Sequence, residues 1–177
     1  MKKLKLFYIL SILLSLNACH PSQEQFKNDA SLADLKMPNN HLNFKEIKDY
    51  QNYKIIAAHY RTDKNEIRYI LGNKKAFEAA KNQAPFPDGS KIVKIGWTVE
   101  KIPDFQTGLE AKQLKRIEYM IKSRKEFSKN PGNWGYARFV KENGQFEAWQ
   151  KGTQSCINCH NLVKKNDFVF TKFQTLQ

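Results

Sequence analysis

Alternation of apolar and polar positions is clearest over residues 91–99. Lys91, Val93, Ile95, Trp97 and Val99 fall on one face of an extended chain, and Ile92, Lys94, Gly96 and Thr98 on the other. Shorter stretches of strand character recur at 53–60, 66–71, 116–121, 136–140 and 146–149. Residues 74–82 read as a helix, with Ala76, Phe77 and Ala80 at i, i+1 and i+4. The connectors carry turn chemistry. In Pro85-Phe86-Pro87-Asp88-Gly89-Ser90 proline presets φ and glycine allows a positive φ. Asn130-Pro131-Gly132-Asn133 forms a second loop, preceded at 123–129 by an expected helical turn, and Asn143-Gly144 marks a hairpin. Together these predict an α+β fold, mainly antiparallel sheet with a few short helices. A four-helix bundle does not fit them.

The chain ends differ from this middle. Met1 to Lys5 is positively charged, and residues 6–14 form an apolar run too short to span a bilayer. Leu16, Ala18 and Cys19 occupy positions −3, −1 and +1 of what resembles a bacterial lipobox. The resemblance implies a signal peptide over 1–18, cleavage before Cys19 and diacylation of that cysteine. Two or more acyl chains anchor a protein stably. His20, rather than aspartate, follows Cys19, so the expected location is the outer membrane, facing the periplasm. The polar stretch over 20–45, with Asn39-Asn40, reads as a tether, giving a lipidated N-terminus and flexible tether over 19–48 and one domain over 49–177.

Charge changes the picture little. The 177-residue chain has a net charge of +13, and losing 1–18 removes three lysines and no acids, leaving +10. A basic surface suits anionic headgroups or an acidic redox partner protein. The lysines are scattered and no nucleic-acid motif is present, so no nucleic-acid partner is expected.

Of three cysteines, the two beyond Cys19 lie in Cys156-Ile157-Asn158-Cys159-His160. C-x-x-C-H is the attachment pattern of a c-type haem. Two thiols add to the vinyl groups of one porphyrin, and the adjacent histidine supplies an axial nitrogen. A disulfide, a thioredoxin-like pair or half a zinc site would also use C-x-x-C. No second C-x-x-C completes a zinc site, no βαβ pattern surrounds the motif, and the histidine adds nothing to a disulfide. One covalent haem c per chain is therefore expected, with His160 as the iron ligand. The sixth-ligand candidates are Met37, Met120, His20, His41 and His59. Met37 and His41 lie in the expected tether, Met120 is mid-strand, and His59 reads as structural. The iron is thus expected to be five-coordinate and open to a small ligand.

Only seventeen residues follow His160, whereas small helical cytochromes c carry the motif near the mature N-terminus. Four blocks in order resemble cytochrome P-460 and its relatives, the β-sheet cytochromes c′ (cytochrome c′-beta). They are Glu66-Ile67-Arg68; Phe86 to Ser90 followed by Val93-Lys94; Asn130 to Trp134; and the haem motif followed by Asp167-Phe168-Val169-Phe170-Thr171. The resemblance implies an antiparallel β fold around one five-coordinate haem c, in a homodimer. It places Lys94 where cytochrome P-460 bonds a lysine to the porphyrin and oxidises hydroxylamine. It makes Arg68 a donor to a bound anion. Without the crosslink, the resemblance implies nitric oxide or carbon monoxide binding without turnover; a tethered electron carrier is a third reading. A proton-transferring carboxylate is not evident: Gln154 and Ser155 precede the motif, and Glu147 is a candidate. The aromatics over 167–173 are expected to pack close to the haem or the sheet beside it.

Overall fold

Among the described residues six strands form one antiparallel sheet in which neighbours in sequence are neighbours in space. They are β1 (Lys54–Arg61), β2 (Glu66–Gly72), β3 (Lys91–Ile102), β4 (Phe105–Lys122), β5 (Trp134–Glu142) and β6 (Gln145–Ala148). The computed structural model describes residues 34–175. Helix α1 (Lys74–Lys81) lies between β2 and β3, and α2 (Gly152–His160) follows β6. Asn143 and Gly144 take φ of 49° and 84°, the two positive values of a hairpin turn that matches the twist of its strands. Asn73 caps α1: its Oδ1 accepts from Ala76 N at 3.0 Å and Lys91 N at 3.1 Å, while Nδ2 donates to the Gly89 carbonyl at 2.9 Å. One amide thereby starts the helix and fixes the start of β3. Residues 99–111 continue the β3–β4 pairing past the end of β2 as a two-stranded arm. Phe127 N donates to the Ser123 carbonyl at 2.9 Å, a single helical turn within 123–129.

Each face of the sheet is covered by different elements. On one face Val93, Ile95, Ile117, Tyr119, Ala137 and Phe139 pack against Met37, Leu42, Ile47 and Tyr50. Met37 and Ile47 are completely buried. The expected tether over 19–48 is thus corrected for its described part, which is a strap across the sheet. Asn40 Nδ2 donates to the Tyr136 carbonyl at 2.9 Å, and Tyr119 Oη to the Asn43 carbonyl at 2.6 Å. Met37, Leu42 and Ile47 follow neither a helical nor a strand period, so the pattern read as linker. On the opposite face Ile70, Ile92, Met120 and Tyr136 pack with α1, Trp134, Val169 and Cys156. The expected signal peptide over 1–18 and Cys19 lie outside the described residues. Among the described residues no helix is long and apolar enough to cross a membrane.

Candidate functional site

Helix α2 places both thiols on one side, because residues i and i+3 are neighbours on a helix surface. It begins at Gly152, whose φ of 68° suits glycine and whose missing Cβ leaves room for the Asn39 side chain. Cys156 is half-buried, Cys159 is exposed, and neither is in a disulfide. Burial, with help from the Glu118 carboxylate, pushes the Cys156 thiol up, against the opposing influence of Arg138 and Lys94. A thiol so held is unlike the reactive thiolate of a redox pair. Among the described residues no three His, Cys, Asp or Glu side chains converge as a metal-ligand set.

His160 ends the helix with its ring between Tyr136, at a centroid distance of 4.8 Å, and Phe170, at 5.2 Å. Its Nδ1 lies 2.6 Å from the Phe168 carbonyl oxygen. A carbonyl only accepts, so Nδ1 carries the proton and Nε2 keeps its lone pair. Burial holds the imidazole below its ordinary value, outweighing the Phe168 contact, and so favours the neutral form that binds a metal. A histidine ligand whose other nitrogen donates to a carbonyl is the usual arrangement around bound metals.

Both cysteines and His160 open onto a cleft of about 280 Å³ on the second face of the sheet. Lys94 also lines it, as the alternation along β3 expected: its neighbour Val93 is fully buried in the opposite core. Three strands then place one row of charges across the floor. Register pairs Lys94 of β3 with Glu118 of β4, and Glu118 with Arg138 of β5. Lys94 and Glu118 form an ion pair, and Arg138 Nε sits 3.0 Å from Glu118 Oε1. These are ionic contacts without hydrogen-bond alignment, for Glu118 Oε2 and Arg138 Nε are buried and have no aligned partner. The Arg138 guanidinium lies 4.1 Å from the centroid of the Trp149 ring, which also lines the cleft. Burial raises the Glu118 carboxyl, but Lys94 and Arg138 outweigh it and hold the group below the usual carboxylate range.

Other expected residues fall elsewhere. Arg68 is buried and does not line the cleft; its Nε and Nη2 donate to Glu66 Oε2 at 2.9 and 2.6 Å. The expected anion donor Arg68 is therefore corrected to a structural partner of Glu66, and the arginine that lines the cleft is Arg138. Glu147 is exposed on edge strand β6, away from the cleft, because its side alternates with the buried Phe146 and Ala148. Gln154 is exposed and donates to Asn158 at 2.8 Å, whereas Ser155 lines the cleft. Met120 stands in the cleft wall, Met37 lies in the core of the other face, and His41 is exposed. His59 is half-buried outside the cleft, held below its ordinary value by burial and by nearby Lys94 and Arg68. Glu118 and Arg138 are the site residues that pattern reading missed.

The residues present fit a porphyrin. Two thiols a helical turn apart, an imidazole with a bare Nε2, apolar walls from Ile70, Ile92 and Val169, and a half-exposed Phe170 ring line the same space. The cytochrome P460 family model matches residues 47–171 of the chain. No curated protein matches it.

Proposed function

Because the chain belongs to the cytochrome P460 family of haem proteins, we propose that Cys156 and Cys159 hold one haem c covalently, that His160 is its axial ligand, and that the cleft takes hydroxylamine or a related small nitrogen oxide for oxidation. What supports this reading is the sharing of one cleft by both thiols, His160, Lys94 and Glu118. When bound, the haem supplies an iron centre that accepts electrons from a nitrogen ligand. The chain's own residues do the rest. His160 presents Nε2, with its proton on Nδ1 donated to the Phe168 carbonyl. Glu118, held as a carboxylate, accepts a proton from a ligand in the cleft. Arg138, stacked on Trp149, keeps that carboxylate in place. By the resemblance to cytochrome P-460, Lys94, which lines the cleft, is the residue we propose for a bond to the porphyrin.

The test is turnover. Holoprotein is expected to oxidise hydroxylamine with an artificial electron acceptor, and Glu118→Gln to lower kcat about 100-fold, a typical share for a positioned proton acceptor. Haem content in the variant should stay at the wild-type level. Undiminished turnover in Glu118→Gln would remove Glu118 from the mechanism, and no turnover in wild type would end the enzyme reading.

One observation favours a second reading. Lys94 forms an ion pair with the Glu118 carboxylate, and an ammonium in an ion pair has no lone pair for a bond to carbon. A protein without the crosslink would bind nitric oxide without turnover. A nitric oxide titration giving a stable complex, with no hydroxylamine oxidation, would select it.

We propose further that Cys19 is acylated and anchors the protein to the outer membrane, with the basic surface meeting an acidic redox partner. Labelled palmitate is expected to mark the wild type and to disappear in Cys19→Ser. An unlabelled wild type would mean an ordinary secretory signal.

A further inference from the structure

Asp167 and Phe168 are consecutive non-glycine residues with positive φ, 47° and 63°. For a bulky side chain this is a genuine outlier, and such backbone persists only where its surroundings over-determine it. Here they do. The Asp167 carboxylate accepts from Phe86 N at 2.8 Å and from Lys122 Nζ at 2.6 Å, in a pair whose side chains are only 18% and 12% exposed. The Asp167 carbonyl accepts from Nε1 of the fully buried Trp134 at 3.0 Å. Phe168 N donates to the Val163 carbonyl at 3.2 Å, and the Phe168 ring fills the space where Gly132 lacks a Cβ. The turn is therefore held by the loop before β3, the end of β4 and the start of β5. The group this arrangement delivers is the Phe168 carbonyl, 2.6 Å from His160 Nδ1.

We propose that the Asp167–Phe168 turn, clamped by Lys122 and Trp134, is a positioning device for the axial imidazole. It fixes the proton on His160 Nδ1 and so sets how strongly Nε2 donates to iron. A left-handed pair turns the Phe168 carbonyl back towards the helix it has just left. Outer partners of this kind orient a histidine ligand and raise its basicity, and their loss weakens metal binding by about 10–100-fold. The inference rests on the reading of His160 as axial ligand.

The experiment compares Asp167→Ala with Asp167→Asn in the full-length holoprotein. Alanine removes both the ion pair and the side chain that tolerates left-handed backbone. Asparagine keeps that tolerance and an acceptor for Phe86 N. In Asp167→Ala the ferrous iron–histidine stretching frequency should fall and the reduction potential rise. Retention of the imidazole under nitric oxide should drop about tenfold or more. In the diamagnetic ferrous carbon monoxide form, the His160 Nδ1 proton should exchange faster with solvent. Asp167→Asn should recover most of each change. If Asp167→Ala does not fold, Lys122→Met takes its place, with the same directions and smaller size. Unchanged stretch, potential and proton exchange in the variant that folds would overturn the clamp. A wild type with no iron–histidine mode would instead overturn the axial reading, and the Nδ1 exchange comparison would still decide the clamp.

Discussion

Replacing Cys156 and Cys159 together by alanine, in a Lys94→Ala background, is expected to remove all haem that survives denaturation. Both thiols line the cleft from one side of α2, and no other described cysteine is available to replace them. Each single variant retains one attachment and should keep part of the signal. The double variant, combined with Lys94→Ala so that no lysine bond can hold the ring, keeps only His160 and the apolar walls, so any haem it binds should leave on acid extraction. A haem-stained denaturing gel separates these outcomes. Wild-type staining in the double variant would contradict the account. The change needs no refolding of the sheet, because α2 meets it mainly through Cys156, Ile157 and the His160 ring.

Glu66→Gln should be the most damaging substitution for stability outside the cleft. Glu66 is completely buried, and its carboxylate receives Arg68 at 2.6 Å, pairs with Arg116 and has Lys115 at 3.5 Å. Three cations thus meet on one carboxylate. Removing its charge leaves buried guanidinium groups uncompensated, at a cost of about 3–5 kcal/mol. Burial raises the Glu66 carboxyl, but the Arg68 hydrogen bond and the charges of Arg116, Arg68 and Lys115 outweigh it and hold it low. A carboxyl lowered in the folded state stabilises fully above its unfolded value, about 4.3, and loses that contribution as pH falls through the folded value. Acid unfolding of wild type should therefore steepen below about pH 4, and the variant should show a flatter acid limb. Thermal denaturation across pH measures both. The exposed Arg61–Asp63 pair is the control, and Asp63→Asn should leave stability unchanged. Equal stability of Glu66→Gln and wild type would show that the cluster holds nothing together.

The sheet was legible where one face is buried and the other is not. Val93 and Lys94 went to opposite sides by alternation alone, and the structure has one in the core and the other in the cleft. The C-x-x-C-H motif was legible because its spacing is local, and both its thiols and His160 line one cleft. Glu118 was not, although its alternation with Ile117 and Tyr119 gave its face. What makes it a site residue is register, which pairs it with Lys94 and Arg138, and strand alternation gives faces without partners. Arg68 misled for the same reason, since nothing local shows that Glu66 on its own strand takes its guanidinium. The strap around Met37 has no period to detect. The arm over 99–111 is largely exposed on both faces, so its residues carry little alternation. The Asp167–Phe168 turn lacks the glycine that usually marks left-handed backbone.

Mass spectrometry of tryptic peptides from wild-type protein tests the central claim most directly. The account predicts one haem bound through Cys156 and Cys159 on the peptide spanning 152–164, and, in the crosslinked form, the same haem joined to the peptide carrying Lys94. Free or disulfide-linked thiols at Cys156 and Cys159, with no haem mass on that peptide, would contradict it.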